Sequence, residues 1–201
     1  TICRADSKAR VLLVCVELCT LHFQNEISDD YNLSNMLFSD GAAAAIISNK
    51  NTGMPGYKIH SFHSDIITEG KQHMSWNISS NGFLMQLSGY VPQLLKIGMK
   101  DVLEKVLSLY EIDIDKLIYW AIHPGGKRIL DALVLEYELE GEKIRSSREV
   151  LREFGNMSSP TILFVLKRIL ETGNFDAGKY VFTAAFGPGL TAETAMLTYV
   201  D

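Results

Sequence analysis

The stretch WAIHPGGKRILD, residues 120–131, ends a short apolar run on His123 and follows it with a proline and two glycines. Pro124 restricts the residue before it to extended or bridging backbone, which holds the imidazole at a strand end, where open α/β sheets bind ligands. Gly125 and Gly126 then permit close approach of a ligand or of another backbone before a helix begins. A histidine so placed either serves chemistry or fills a structural niche, and the residues alone leave both readings open. Asn156, in EFGNMSSP, is the second candidate. It precedes a helical run built on Ile162 to Leu170, so it either caps that helix or offers its amide N–H to a carbonyl at a positively polarised helix start.

The other histidines and the cysteines offer less. His60 and His63 are three apart in a strand-like run, which sends them to opposite faces and argues against a shared metal. His22 and His73 sit in polar, loop-adjacent contexts. Cys3, Cys15 and Cys19 are odd in number and clustered, unlike a disulfide framework. Cys15 and Cys19 read as buried strand thiols rather than nucleophiles. No metal site is expected, and no phosphate loop of P-loop or Rossmann spacing is present.

Positioning these residues falls to alternating strands and helices, the pattern of a layered α/β fold. VLLVCVELC, residues 11–19, reads as a strand buried on both faces, with Cys15, Glu17 and Cys19 on one of them. Residues 24–36 read as a polar surface loop, possible host to a helical turn, and Asp40-Gly41 as a turn before the small-residue strand AAAAII. KNTGMPG, residues 50–56, is the best linker and sets a boundary at about residue 50. YKIHSFHSDII and GFLMQLSGY read as strands separated by a polar hairpin or loop over residues 68–82. A long helix follows Pro92, and KLIYWAI is the strand that delivers His123. The helix after HPGG is expected to run to Gly141, a shorter one to Gly155, and a third from Pro160 to Gly173. YVFTAAF and TAMLTYV flank the turn-forming FGPGL and add an antiparallel edge.

A chain of 201 residues with 47 % hydrophobic content can bury one large or two small cores. Its net charge of -5 and interspersed lysines and arginines give no basic stripe, so nucleic acid is not an expected partner. No run approaches the roughly 18–20 apolar residues of a membrane span, and a cytoplasmic location is the expectation. The chain opens on Thr1, and TICRADSKAR reads as the tail of a helix begun earlier, so a C-terminal portion of a longer protein is expected.

RVLLVCVEL, LFSDGAAAAI, HPGGKRILD, REVLREFGNMSS and FGPGLTAET together resemble the chalcone and stilbene synthase family, the type III polyketide synthases of the thiolase superfamily. The resemblance implies a layered αβαβα fold with mixed sheets: residues 1–50 would be the end of the first thiolase-like half and residues 51–201 the second half. It implies a homodimeric acyltransferase that loads an acyl starter from coenzyme A onto a cysteine and extends it with malonyl-CoA by decarboxylative Claisen condensation. Coenzyme A thioesters would be substrates, with no tightly bound cofactor. His123 and Asn156 match the family's catalytic histidine and asparagine. The nucleophilic cysteine is expected upstream of Thr1, in a preceding segment or a second chain, so that this chain alone would be inactive and would expose apolar surface.

Phe38 matches a phenylalanine that gates the family's cavity, and its usual companion falls at Met85. Trp76 lies near a position where plant members carry a glycine, so its indole would shorten the cavity. Gly125, Gly126 and Ser158 would line the substrate site, and Gly187, Pro188 and Gly189 would shape its floor, with Ala185 in place of a usual glycine. Lys127 and Arg128 form either a solvated first helical turn or a contact to coenzyme A phosphates. The competing expectations are a β-ketoacyl-ACP synthase III-like condensing enzyme and a noncatalytic acyl-CoA-binding or interaction domain; HPGG and GNMSS favour the polyketide reading.

Overall fold

The computed structural model describes residues 1–23, 29–80, 82–139, 141–175 and 179–201. Its centre is a mixed four-stranded sheet in the order β3 (Gly56–Ile66), β8 (Thr191–Val200), β7 (Tyr180–Gly187), β6 (Leu117–Ile122). β6 and β7 run parallel and the other pairs antiparallel. After an irregularity in register between Leu117 and Tyr119, successive residues of β6 from Tyr119 on go to opposite faces, as the two-residue strand period requires. Trp120 and Ile122 join Phe182 and Met196 in one core with α3 (Val91–Tyr110) and α4 (Lys127–Tyr137). Tyr119 and Ala121 join Val181 and Leu197 in another with α5 (Glu142–Phe154) and α6 (Ser159–Thr172).

α3 forms where the sequence places it: Pro92 sits in its first turn, and Leu95, Met99, Val102, Leu103 and Val106 recur at helical spacing and are buried. α4 is shorter than expected. It stops at Tyr137 because Glu138 turns left-handed at φ 50°, which lets the Leu139 N–H bond the Val134 carbonyl at 3.1 Å and buries Leu139 in the core. Gly141 caps the start of α5 instead.

A second sheet, an antiparallel ribbon of β1 (Arg10–Glu17) and β2 (Gly41–Ser48), lies against α6 on the side away from the central sheet. The order is therefore α3/α4, sheet, α5/α6, ribbon: four layers of the expected αβαβα stack. The expectation that β1 is buried on both faces is not met. Leu12, Val14 and Val16 pair across the ribbon with Ile46, Ala44 and Ala42, and Leu12, Val14, Val16 and Ile46 are 55–73 % exposed. The face is apolar in register and, among the described residues, uncovered.

Two further expectations change. The polar hairpin or loop expected over residues 68–82 contains a strand of its own, β4 (Met74–Ser79), which pairs with β5 (Gly82–Leu87). The polar region before Phe38 contains a full helix, α2 (Asp29–Leu37), packed on β5; residues 24–28 of that region lie outside the described residues. Cys19 falls in a 3-10 turn, Cys19–His22, beyond the end of β1.

Candidate active site

β6 ends at Ile122, and His123 extends its ladder by one step, its backbone N–H donating to the Ala184 carbonyl of β7 at 2.7 Å. The parallel pairing puts the ends of β6 and β7 side by side, so His123 and the Gly187–Pro188–Gly189 turn emerge at the same end of the sheet. His123 is 7 % exposed, and burial pulls its pKa down to about 4. The imidazole is therefore neutral at pH 7: one ring nitrogen donates and the other accepts. A thiolate brought beside the ring would raise that pKa.

Gly125 folds back under this histidine, its N–H donating to the His123 carbonyl at 2.9 Å. A Cβ at position 125 would lie 3.7 Å from His123 Cδ2, 3.9 Å from Nε2 and 3.0 Å from Ile129 Cδ1. The missing side chain is what leaves the ring edge open.

Asn156 arrives from the other side. α5 ends at Gly155, whose left-handed φ of 73° and tight seat against Ser39 Oγ and the Leu37 carbonyl both require glycine. The Asn156 backbone is then clamped to the segment after α2: its N–H bonds the Leu37 carbonyl at 3.0 Å and its carbonyl accepts from Ser39 N–H at 2.9 Å. Phe38 bridges directly to it.

The Asn156 side chain is 3 % exposed. Its Oδ1 accepts the Ser158 N–H at 2.8 Å, and since that N–H can only donate, Nδ2 must point the other way, where it donates to the Gly125 carbonyl at 3.4 Å. Asn156 is thus not the N-cap of α6. Ser158 is, at φ 59°, and it makes no side-chain cap bond. The structure therefore gathers His123, Gly125, Asn156, Ser158 and Phe38 at one place, with Gly126 close to Leu37.

A second group stands at the β4–β5 hairpin. Trp76 and Met85 are direct cross-strand partners, and Trp76 is 40 % exposed. The hairpin base joins the turn after β7 through Gly189 N–H, which donates to the Met74 carbonyl at 3.3 Å. Phe38 follows α2, which packs on β5, so one helix spans both groups. Lys127 and Arg128 are exposed in the first turn of α4, which contains no acid. Two cations there oppose the helix dipole, an arrangement that favours an anionic neighbour.

The remaining histidines stay apart. A bulge between Ile59 and Ser61 upsets the alternation that would place His60 and His63 on opposite faces. Even so, His60 Nε2 meets Thr198 Oγ1 at 2.8 Å, while His63 Nε2 lies 3.7 Å from Asp65. Among the described residues no group of three metal-ligating side chains assembles, and no helix is long and apolar enough to cross a membrane. Burial, with Glu17 and Asp40 nearby, raises the Cys19 thiol to about 11, which keeps it protonated and poorly nucleophilic.

Sequence reasoning read Gly41 only as half of a turn, whereas it is the first residue of β2, and it missed Met157. A Cβ on Gly41 would sit 2.6–2.8 Å from the Met157 side chain, so the absence of one seats the residue after Asn156 on the ribbon.

Residues 58–201 match the family described as chalcone and stilbene synthases, C-terminal domain. A putative chalcone synthase from Bacillus subtilis (strain 168) is 30 % identical over 204 residues, covering 98 % of this chain and 56 % of that protein. The crystal structure of the C-terminal type III polyketide synthase domain of Steely1 from Dictyostelium superposes with a TM-score of 0.91 at 26 % identity, covering all of this chain and 56 % of that one. The 1,3,6,8-tetrahydroxynaphthalene synthase of Streptomyces coelicolor A3(2), a bacterial type III polyketide synthase, gives 0.91 at 29 % identity, over 100 % and 57 %. The chain spans a little over half the length of each. With the layered fold, the HPGG and GNMSS segments converging on one site, and this match over most of its residues, the chain belongs to the chalcone and stilbene synthase family.

Proposed function

We propose that this chain forms the oxyanion-holding part of a type III polyketide synthase, which condenses an acyl-CoA starter with malonyl-CoA by decarboxylative Claisen condensation. The observation that carries the reading is that Asn156 Nδ2 and the His123 ring both lie against Gly125, in a buried setting. In decarboxylation the bond between the thioester α-carbon and the carboxylate breaks, CO2 leaves, and the electron pair moves onto the thioester oxygen. A neutral imidazole N–H and the second amide hydrogen of Asn156 are the donors for that oxygen. Each such donor is worth about 10²- to 10³-fold in rate, and water exclusion strengthens both.

The enolate carbon then attacks the carbonyl carbon of an acyl group held on a thiol; the C–C bond forms, the acyl C–S bond breaks and the thiolate leaves. Cys3, Cys15 and Cys19 are not candidates for that thiol: Cys3 and Cys15 lie on or beside the ribbon, and Cys19 is held protonated. The nucleophile is assigned to polypeptide outside residues 1–201, and these residues alone are expected not to condense. The proposed division is residues 1–50 to the end of one thiolase-like half and 51–201 to the other, within a homodimer in the cytoplasm. Lys127 and Arg128 are assigned to the phosphates of coenzyme A, and Trp76, Met85, Phe38, Gly187, Pro188 and Gly189 to the walls of the acyl cavity.

The test is release of ¹⁴CO2 from carboxyl-labelled malonyl-CoA by the full-length protein. Asn156→Ala and His123→Ala should each lower the rate at least about 100-fold, while reversing both charges at Lys127 and Arg128 should raise KM for acyl-CoA. Full CO2 release by Asn156→Ala would overturn the reading.

A further inference from the structure

Glu17 is the only charged residue in the run from Val11 to Leu18, at the last position of β1. A carboxylate at a strand end that water still reaches can remain solvated without a partner. Here it has one: Ser159 Oγ donates to Glu17 Oε1 at 2.5 Å, across 142 residues of chain. Ser159 opens α6, a 14-residue helix with no acid of its own in the first turn and no side-chain bond from its N-cap. Glu17 supplies from another layer the negative charge that α6 lacks at its start.

The contact sits three residues from Asn156, and it is one of several. Gly41, the β2 partner of Glu17 in the ribbon register, lies under Met157. Ser39 N–H holds the Asn156 carbonyl, and Met157 N–H donates to Thr161 Oγ1 at 2.8 Å. The turn Asn156–Ser158, with Ser158 in the left-handed region, is thus pinned at both ends by the ribbon's end and by α6. A left-handed non-glycine residue persists only where its surroundings hold it there.

We propose that Glu17 is a positioning residue: by holding Ser159 it fixes the start of α6 and hence the direction of Asn156 Nδ2. It acts through Ser159, the residue its carboxylate holds. The inference rests on the reading of Asn156 as an oxyanion donor, because only then does the direction of Nδ2 set a rate.

The experiment uses the full-length protein with Glu17→Ala, Glu17→Gln, Ser159→Ala and the Glu17→Ala/Ser159→Ala pair. Malonyl-CoA decarboxylation gives kcat and KM, and amide hydrogen exchange is followed over residues 155–161. Glu17→Ala and Ser159→Ala should each lower kcat about tenfold, as a small misplacement of a donor does, with KM within twofold of the parent. The double variant should be no worse than either single one, because the two remove the same bond. Glu17→Gln, whose amide oxygen still accepts from Ser159, should recover most of the rate. Exchange over residues 155–161 should quicken in Glu17→Ala while the central sheet is unaffected. Additive losses in the double variant, or unchanged exchange over residues 155–161, would overturn the proposal. If the parent protein releases no CO2, the oxyanion reading fails, and the exchange data still decide whether Glu17 fixes this turn.

Discussion

Asn156 and Gly125 are 31 residues apart in sequence and joined by one hydrogen bond, Nδ2 to the Gly125 carbonyl at 3.4 Å. Because Gly125 also lies against the Cδ2–Nε2 edge of His123, this glycine spaces the two donor side chains. The bond occupies one hydrogen of the Asn156 amide and leaves the second for a better acceptor such as a thioester oxyanion.

Gly125→Ala should therefore act on rate more than on folding. The methyl would lie in ordinary contact with the imidazole but only 3.0 Å from Ile129 Cδ1, a tip that can give by a few tenths of an ångström. The expected outcome is a kcat for malonyl-CoA decarboxylation down by about ten- to 100-fold, with Tm within a few degrees of the parent. A full rate would show that the ring edge facing Gly125 is not where the oxygen binds.

His123 predicts a pH signature. Its folded pKa, about 4, is below the unfolded value near 6.5 because burial disfavours the charged form. Between those values the unfolded chain binds more protons, so stability is full above about 6.5 and falls as pH drops towards 4, by roughly 1.4 kcal/mol per unit. Glu153, held down to about 2 by the Arg168 guanidinium, contributes fully above its ordinary value of 4.5 and loses that contribution as pH falls from there towards 2. Urea unfolding from pH 7.5 to 4.5 should show a shallower pH slope in His123→Gln than in the parent. Equal slopes would mean that the histidine is not buried neutral.

The strand end carrying His123 was legible because proline and paired glycines dictate local backbone. The role of Asn156 was only half legible: Gly155 signals a helix stop, but whether the next side chain caps α6 or turns towards Gly125 depends on Ser39 and Leu37, more than a hundred residues away. Glu17 is legible in the sequence only as sharing a strand face with Cys15 and Cys19, and nothing nearby in sequence points to Ser159. β4 was missed because Ser75, Asn77 and Ser79 give it the polarity of a loop, and its pairing with β5 supplies the order. α4 was overextended because YELE has no helix breaker, and burial of Leu139 decides the stop.

Trp76 and Met85 predict specificity. They face one another across the β4–β5 hairpin, whose base is tied to the turn after β7, so a change in either side chain changes one wall of the proposed cavity. In the full-length protein Trp76→Gly should shift the products towards more extensions or larger starters, read by mass spectrometry. Met85→Phe should do the reverse, since a rigid ring replaces a flexible thioether. An unchanged product profile in Trp76→Gly would remove Trp76 from the cavity wall.

The ribbon predicts how a polypeptide of residues 1–201 behaves in solution. Its outer face places Leu12 opposite Ile46, Val14 opposite Ala44 and Val16 opposite Ala42, an uninterrupted apolar surface among the described residues. Leu18, Leu21 and Phe23, each more than half exposed, extend that apolar surface beyond the strand. Contiguous apolar patches bind hydrophobic dyes and promote association. The polypeptide should therefore enhance ANS fluorescence at neutral pH while its near-UV circular dichroism remains that of a packed protein. The pair Leu12→Lys and Ile46→Glu places opposite charges directly across the ribbon, where they attract rather than repel. Both sites are well exposed, so the pair should cost little stability, within roughly 0.5 kcal/mol per site. It should reduce ANS enhancement severalfold and raise solubility. ANS enhancement that persists undiminished in the pair would place the dye's binding surface elsewhere on the molecule.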